Sequence, residues 1–150
     1  MGQLKKIFAI VLAAVFLFSG CGAGNRSLGI SEEIITDTEI LKMDITDFTN
    51  EKIAVEIKNE SKYEAGYGES YSIEFKKDGE WHILSPEKEA SFIEVAYILE
   101  KESSCTWGDN LSRIYGKLPE GEYRLIKQFT LIEPKTGSVE AVTLAAEFSI

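Results

Sequence analysis

The chain reads as all-β, a sandwich of about seven short antiparallel strands, and three observations predict it. Apolar residues alternate with polar ones, most cleanly at Ile53, Val55 and Ile57, and again from Val142 through Leu144, Ala146 and Phe148 to Ile150. Turn formers separate the runs, and no segment of helical length carries a capping pattern. The stretch Tyr115–Lys127, YGKLPEGEYRLIK, supplies the register. Pro119 presets φ for a turn, Gly121 tolerates positive φ, and Tyr123 opens an apolar, β-prone run. That order predicts a tyrosine corner, its phenol bonded back to the backbone a few residues upstream.

Taken in order, the chain begins with Lys5 and Lys6 before an apolar run, Ile7–Phe18, followed by Ser19, Gly20 and Cys21. The run is shorter than the roughly 20 apolar residues of a membrane span. It predicts a lipoprotein signal peptide over residues 1–20. Small residues at 19 and 20 admit the peptidase, and the Cys21 thiol accepts a covalent lipid, the only non-protein group expected. Gly22–Glu33 is rich in Gly, Ser and charge, without apolar period, and is expected to be a flexible tether that holds a domain over 34–150 off the bilayer.

Within that domain, over Ile34–Phe48, the apolar residues Ile40, Leu41, Met43 and Ile45 begin an odd-position alternation, with Asp44 and Thr46 between them, that predicts a first strand. Ile53–Lys58 is the clearest strand. Asn59–Gly68 is a loop with two glycines, and Tyr71, Ile73 and Phe75 mark the next strand. Asp78-Gly79 predicts a hairpin to a strand over Glu80–Leu84, with Trp81 and Ile83 on one face and His82 toward solvent. Phe92–Glu100 and a short Cys105–Trp107 are further strands. Leu111–Gly116 is one helical turn or irregular chain. Tyr123–Ile132 and Glu140–Ile150 then form the last hairpin, around Pro134 and Gly137.

Without Lys5 and Lys6, 14 basic residues face 25 acidic ones, a net charge of −11 with His82 neutral. Nucleic acid is excluded as a partner, since phosphate binding needs a basic footprint. With Cys21 acylated, Cys105 is the only remaining thiol, so the core alone must hold the fold.

Several residues fall in an order that matches a known pattern: Ile57–Asn59; Tyr67-Gly68 with Tyr71 and Glu74; Gly79 with Trp81; Tyr115-Gly116 and Leu118; Gly121, Tyr123-Arg124 and Lys127; and Phe148. Over roughly Lys42–Ile150 the chain resembles a family of bacterial immunoglobulin-like domains on envelope lipoproteins and on the outer parts of membrane proteins. The resemblance implies an immunoglobulin-like β-sandwich and an extracytoplasmic location, and it implies no reaction. Cys105 stands where an aliphatic residue is expected.

Lys127 poses a problem, because it shares a face with Tyr123, Leu125 and Phe129. Either it snorkels at the sheet edge or a bulge shifts the register. In an immunoglobulin-like sandwich the strand of Glu74 neighbours that of Arg124 and Lys127, so Glu74 is expected to pair with one of them, at little gain if exposed.

His82 and Cys105 are the only base and nucleophile candidates, and neither they nor Asp109-Asn110 match a catalytic or metal-ligand pattern. The aromatics are the stronger signal. Trp81 is expected in the core, whereas Tyr63, Tyr67 and Trp107 form a possible binding surface. The expectation is therefore a non-catalytic protein-interaction module, lipid-anchored on the outer side of the cell membrane. A free edge strand near Cys105, or the first strand, would meet an envelope protein. The alternative is a small-ligand or glycan-binding protein using the loop aromatics.

Overall fold

The alternating runs become strands. The computed structural model describes residues 24–49 and 51–150. In it the strands are β1 (Ser27–Ile30), β2 (Leu41–Phe48), β3 (Lys52–Asn59), β4 (Glu64–Tyr67), β5 (Ser72–Lys77), β6 (Glu80–Leu84), β7 (Tyr97–Leu99), β8 (Ser103–Asn110), β9 (Glu122–Ile132) and β10 (Val139–Ser149). One helical turn, α1 (Ser112–Tyr115), precedes β9. Cys21 and the signal segment lie outside the described residues.

β2, β3 and β8 form one antiparallel sheet, and the other seven strands form the second. β9 is the spine of the larger sheet. β10 pairs with its whole length, from Glu122–Ser149 to Ile132–Val139. Along the opposite side, β5 covers residues 123–126 and β4 covers 129–132. Inward residues of both sheets, among them Val55, Ile57, Ile73, Leu125 and Leu144, share one core. The alternation at Ile53, Val55 and Ile57 is therefore the burial pattern of a strand with one face on that core.

The tyrosine corner is present: the Tyr123 hydroxyl donates to the carbonyl of Pro119 at 2.8 Å. Tyr123 is itself buried and stacks on Phe148 of β10. Replacing Tyr123 with Phe keeps the ring and removes only that bond. The expected loss in urea unfolding is about 1 kcal/mol, the net worth of one intramolecular hydrogen bond. The hairpin at Asp78-Gly79 is also as predicted, with φ of 53° and 84° at the two central residues.

Asn59–Gly68 is not all loop, since Glu64–Tyr67 pairs with β7 on one side and β9 on the other. Five further expectations change. Gly22–Glu33 is not a tether over its described part. Ser27–Ile30 pairs with β6, and Arg26 Nη2 donates to the carbonyls of Ser85 at 2.9 Å and Tyr115 at 2.8 Å. The chain then crosses the outer face of the larger sheet as a strap. The Ser31 amide donates to the Trp81 carbonyl, and the Thr36 amide to the Thr143 carbonyl.

The strap explains the second correction. On β6 the core-facing residues are His82 and Leu84, while Trp81 lies on the outer face and Ile83 is exposed. Trp81 is thus outside the core. His82 is half-buried rather than in solvent, stacked on Phe75 and bonded through Nδ1 to the Ser27 hydroxyl at 3.0 Å.

The third and fourth corrections concern length. Phe92–Glu100 is a strand only at Tyr97–Leu99, and Cys105–Trp107 belongs to an eight-residue strand, β8, in full register with β3. In the fifth, β2 keeps its alternation only to Ile45. A register shift between Ile45 and Asp47 brings Phe48 back to the core, where its ring lies 4.7 Å from that of Phe148.

Candidate functional site

Lys127 resolves its own problem in a third way. The β9–β10 register runs unbroken past it, and the side chain is 1 % exposed, so it neither snorkels nor sits at a bulge. The break lies in the opposite neighbour, where β9 changes partner from β4 to β5 and residues 68–71 leave the ladder. Carbonyls freed there need a donor. Lys127 Nζ supplies it, at 2.6 Å from the oxygen of Gly68 and 3.2 Å from that of Ser70. From the facing sheet, the ring of Trp107 receives the ammonium at 4.0 Å, and Tyr67 lies 5.6 Å away.

The same gap carries Glu69, which ties the sheets together. Its carboxylate accepts from Trp107 Nε1 at 3.0 Å and from the Tyr97 hydroxyl. Those two hydrogen bonds hold the Glu69 carboxyl below its usual range. Burial pushes the Lys127 amine down to about 8, an effect that Glu69 and then Asp109 partly offset. Tyr67 donates to or accepts from Cys105 Sγ at 3.2 Å, and burial raises its phenol well above the usual value. Tyr71 bonds Asp109, and burial raises it likewise.

Of the three aromatics expected to form a surface, Tyr67 and Trp107 do meet, but around Lys127 between the sheets. Trp107 is 6 % exposed, and Tyr67 packs between Tyr97 and Phe129. Tyr63 is elsewhere, half-buried in the turn after β3, with Lys62 over its ring at 5.3 Å. No aromatic platform results. His82 and Cys105 lie in different sheets with different partners. Among the described residues, no three His, Cys, Asp or Glu side chains gather in an arrangement that would hold a metal ion.

Asn59, which sequence reasoning quoted only as a pattern residue, is a buried hub at the end of β3. Its Nδ2 lies 2.8, 3.3 and 3.1 Å from the carbonyls of Tyr63, Leu99 and Glu100. Its Oδ1 accepts from the amide and hydroxyl of Ser61. The amide thereby joins the turn after β3 to the end of β7. Asn59→Ala strands these groups, and a loss of about 2 kcal/mol in chemical unfolding is expected.

The edges of the sheets are treated very differently. β1 and β7 are four and three residues long. β10 is strapped where Thr36 and Thr143 exchange hydrogen bonds. β2 carries a register shift and exposes Lys42, Asp44 and Asp47. Each is a recognised way to blunt an edge. β8 has none of them. It runs eight residues without a register shift, pairs among the described residues only with β3, and exposes Ser104, Thr106 and Gly108. Beside its start lies an open groove of about 460 Å³, lined by Lys58, Asn59, Glu60, Glu102, Ser103 and Ser104. The edge was expected near Cys105, but its length was not legible.

A larger sheet faces a smaller one over one core, the spine strand carries a tyrosine corner, and its neighbour bears the directly opposed Glu74. These define an immunoglobulin-like β-sandwich. The chain belongs to the bacterial Ig-like domain family, whose model matches residues 37–149. No curated protein matches the chain. No solved structure matches it either.

Proposed function

We propose that this chain is a lipid-anchored envelope protein whose Ig-like domain is a non-catalytic interaction module, taking an extended segment of another protein along β8. The observation that carries the proposal is the contrast among edges. Every other strand edge just described is short, strapped, shifted or charged, and β8 is open along its length. An added strand would gain main-chain hydrogen bonds there, and the groove at Lys58 and Glu102 would read a side chain at one end. The glycan alternative has less to rest on, because Trp107 is buried and Tyr63 lies apart from Tyr67. For the anchor, the support is the sequence pattern that ends at Cys21.

Photocrosslinking residues placed at Ser104 and Thr106 in intact cells test the edge, with Lys42 and Asp44 of β2 as controls. Adducts with a protein from the β8 positions and none from β2 are expected. Equal adducts from both strands would overturn the assignment of the edge. Lipid labelling tests the anchor separately: it should vanish in Cys21→Ser, and label retained in that variant would count against it.

A further inference from the structure

We infer that the exposed apolar residues Leu28, Ile30 and Ile34 are a membrane-contact surface, laid against the same bilayer that holds the Cys21 lipid; the inference rests on the anchor proposed above. Three observations carry it. First, these side chains are 64, 54 and 84 % exposed and fall within one seven-residue stretch, Leu28 and Ile30 on the edge strand β1 and Ile34 on the strap that follows it. Isolated exposed apolar residues are ordinary, but three this exposed and this close together, where the chain enters the fold, call for an occupant.

Second, the chain is pinned almost as soon as it leaves the anchor. Arg26 bonds the carbonyls of Ser85 and Tyr115 and lies 3.3 Å from the Glu87 carboxylate. From Cys21 to Arg26 is five residue steps, at most about 18 Å of extended chain. β1 follows at once. From Arg26 onward the segment read from composition as a spacer is therefore part of the fold, and the domain cannot stand well clear of the bilayer. Whatever surface lies next to β1 lies next to the membrane.

Third, the exposed apolar residues Ile98 and Val139 are at the opposite end of the spine. Leu28 and Ile30 connect through β6 and β5 to residues 123–126 of β9. Ile98 connects through β4 to residues 129–132, and Val139 pairs with Ile132. At about 3.3 Å per residue the two ends are roughly 20 Å apart. With the β1 end on the bilayer, Ile98 and Val139 lie at the far end. Glu32 and Glu33 lie exposed between the apolar residues of the patch, so the contact is apolar in origin and does not need anionic lipid.

The test uses the full lipidated chain with methyl-labelled Ile, Leu and Val in phosphatidylcholine nanodiscs that contain a nitroxide on the lipid acyl chain. Methyl signals of Leu28, Ile30 and Ile34 are expected to lose intensity several-fold more than those of Ile98 and Val139. Equal loss at the two ends, or greater loss at the far end, would overturn the inference, as would a pattern that appears only with phosphatidylglycerol. Flotation of the same chain with vesicles separates the two failures. A chain that does not float removes the anchor and this surface with it, whereas a floating chain with uniform signal loss removes the surface alone.

Discussion

Glu74→Leu is expected to lower the unfolding free energy by about 3–5 kcal/mol, the range for removing one partner of a buried ion pair. Glu74 is 2 % exposed, and its Oε2 accepts from both Nε and Nη2 of Arg124 at 2.6 Å. The other oxygen accepts from the Ser31 hydroxyl of the strap. Arg124 cannot recover water when the carboxylate goes, because its guanidinium is sandwiched against the Trp81 ring at 4.7 Å and only 11 % of its side chain is exposed. The loss is thus mainly the cost of a stranded charge. Two further variants separate that cost from lost packing. Glu74→Gln keeps an acceptor and should lose less, and the double change Glu74→Leu with Arg124→Leu should recover most of the loss. Urea unfolding in which Glu74→Leu moved by less than about 0.5 kcal/mol would match an exposed pair instead.

The size of that effect was hidden in the sequence, and the reason is the strap. A pairing of Glu74 with Arg124 or Lys127 was legible, since the two strands had to be neighbours, and the register selects Arg124, directly opposite. Its burial was not, because the segment that covers it has the composition of a linker. Arg26–Ile30 and Ser31–Thr36 are held by backbone bonds to Trp81, Ser85 and Thr143, and backbone bonds leave no trace in composition. The same cover misled the reading of β6. Both of its faces offer apolar residues, Trp81 and Ile83 on one and Leu84 on the other, and alternation alone cannot say which is inward when the outer face is partly covered. β8 was foreshortened for a related reason. Ser, Gly, Asp and Asn around Cys105 and Trp107 have turn chemistry, and the strand exists because β3, with its strong alternation, presents a full edge to pair with. What was legible, the tyrosine corner and the Asp78-Gly79 hairpin, rests on residues whose local conformation has few alternatives.

Lys127 yields the second large prediction, a stability that rises with pH where most proteins are flat or falling. In the unfolded chain its amine has a pKa near 10.4, whereas burial in the fold brings it down to about 8. Between these values the unfolded state binds more protons than the native state, so unfolding becomes harder as pH rises, by up to about 1.4 kcal/mol per unit. Over pH 7.5 to 9.5 the gain is expected to be about 2 kcal/mol. Near pH 10 it should reverse. Burial raises the phenols of Tyr67, Tyr71, Tyr115 and Tyr123, so the unfolded chain ionises its tyrosines first and gains the advantage. Lys127→Met separates the two causes. It removes the rising limb and leaves the fall above pH 10, because the tyrosines remain. Below pH 7.5 the methionine variant loses the donor to Gly68 and Ser70 but sheds a buried charge, and these oppose each other. The decisive observable is therefore the slope between pH 7.5 and 9.5 in urea unfolding, positive for the native chain and near zero for the variant. Equal slopes in both would mean that the ammonium facing Trp107 is not the group that titrates.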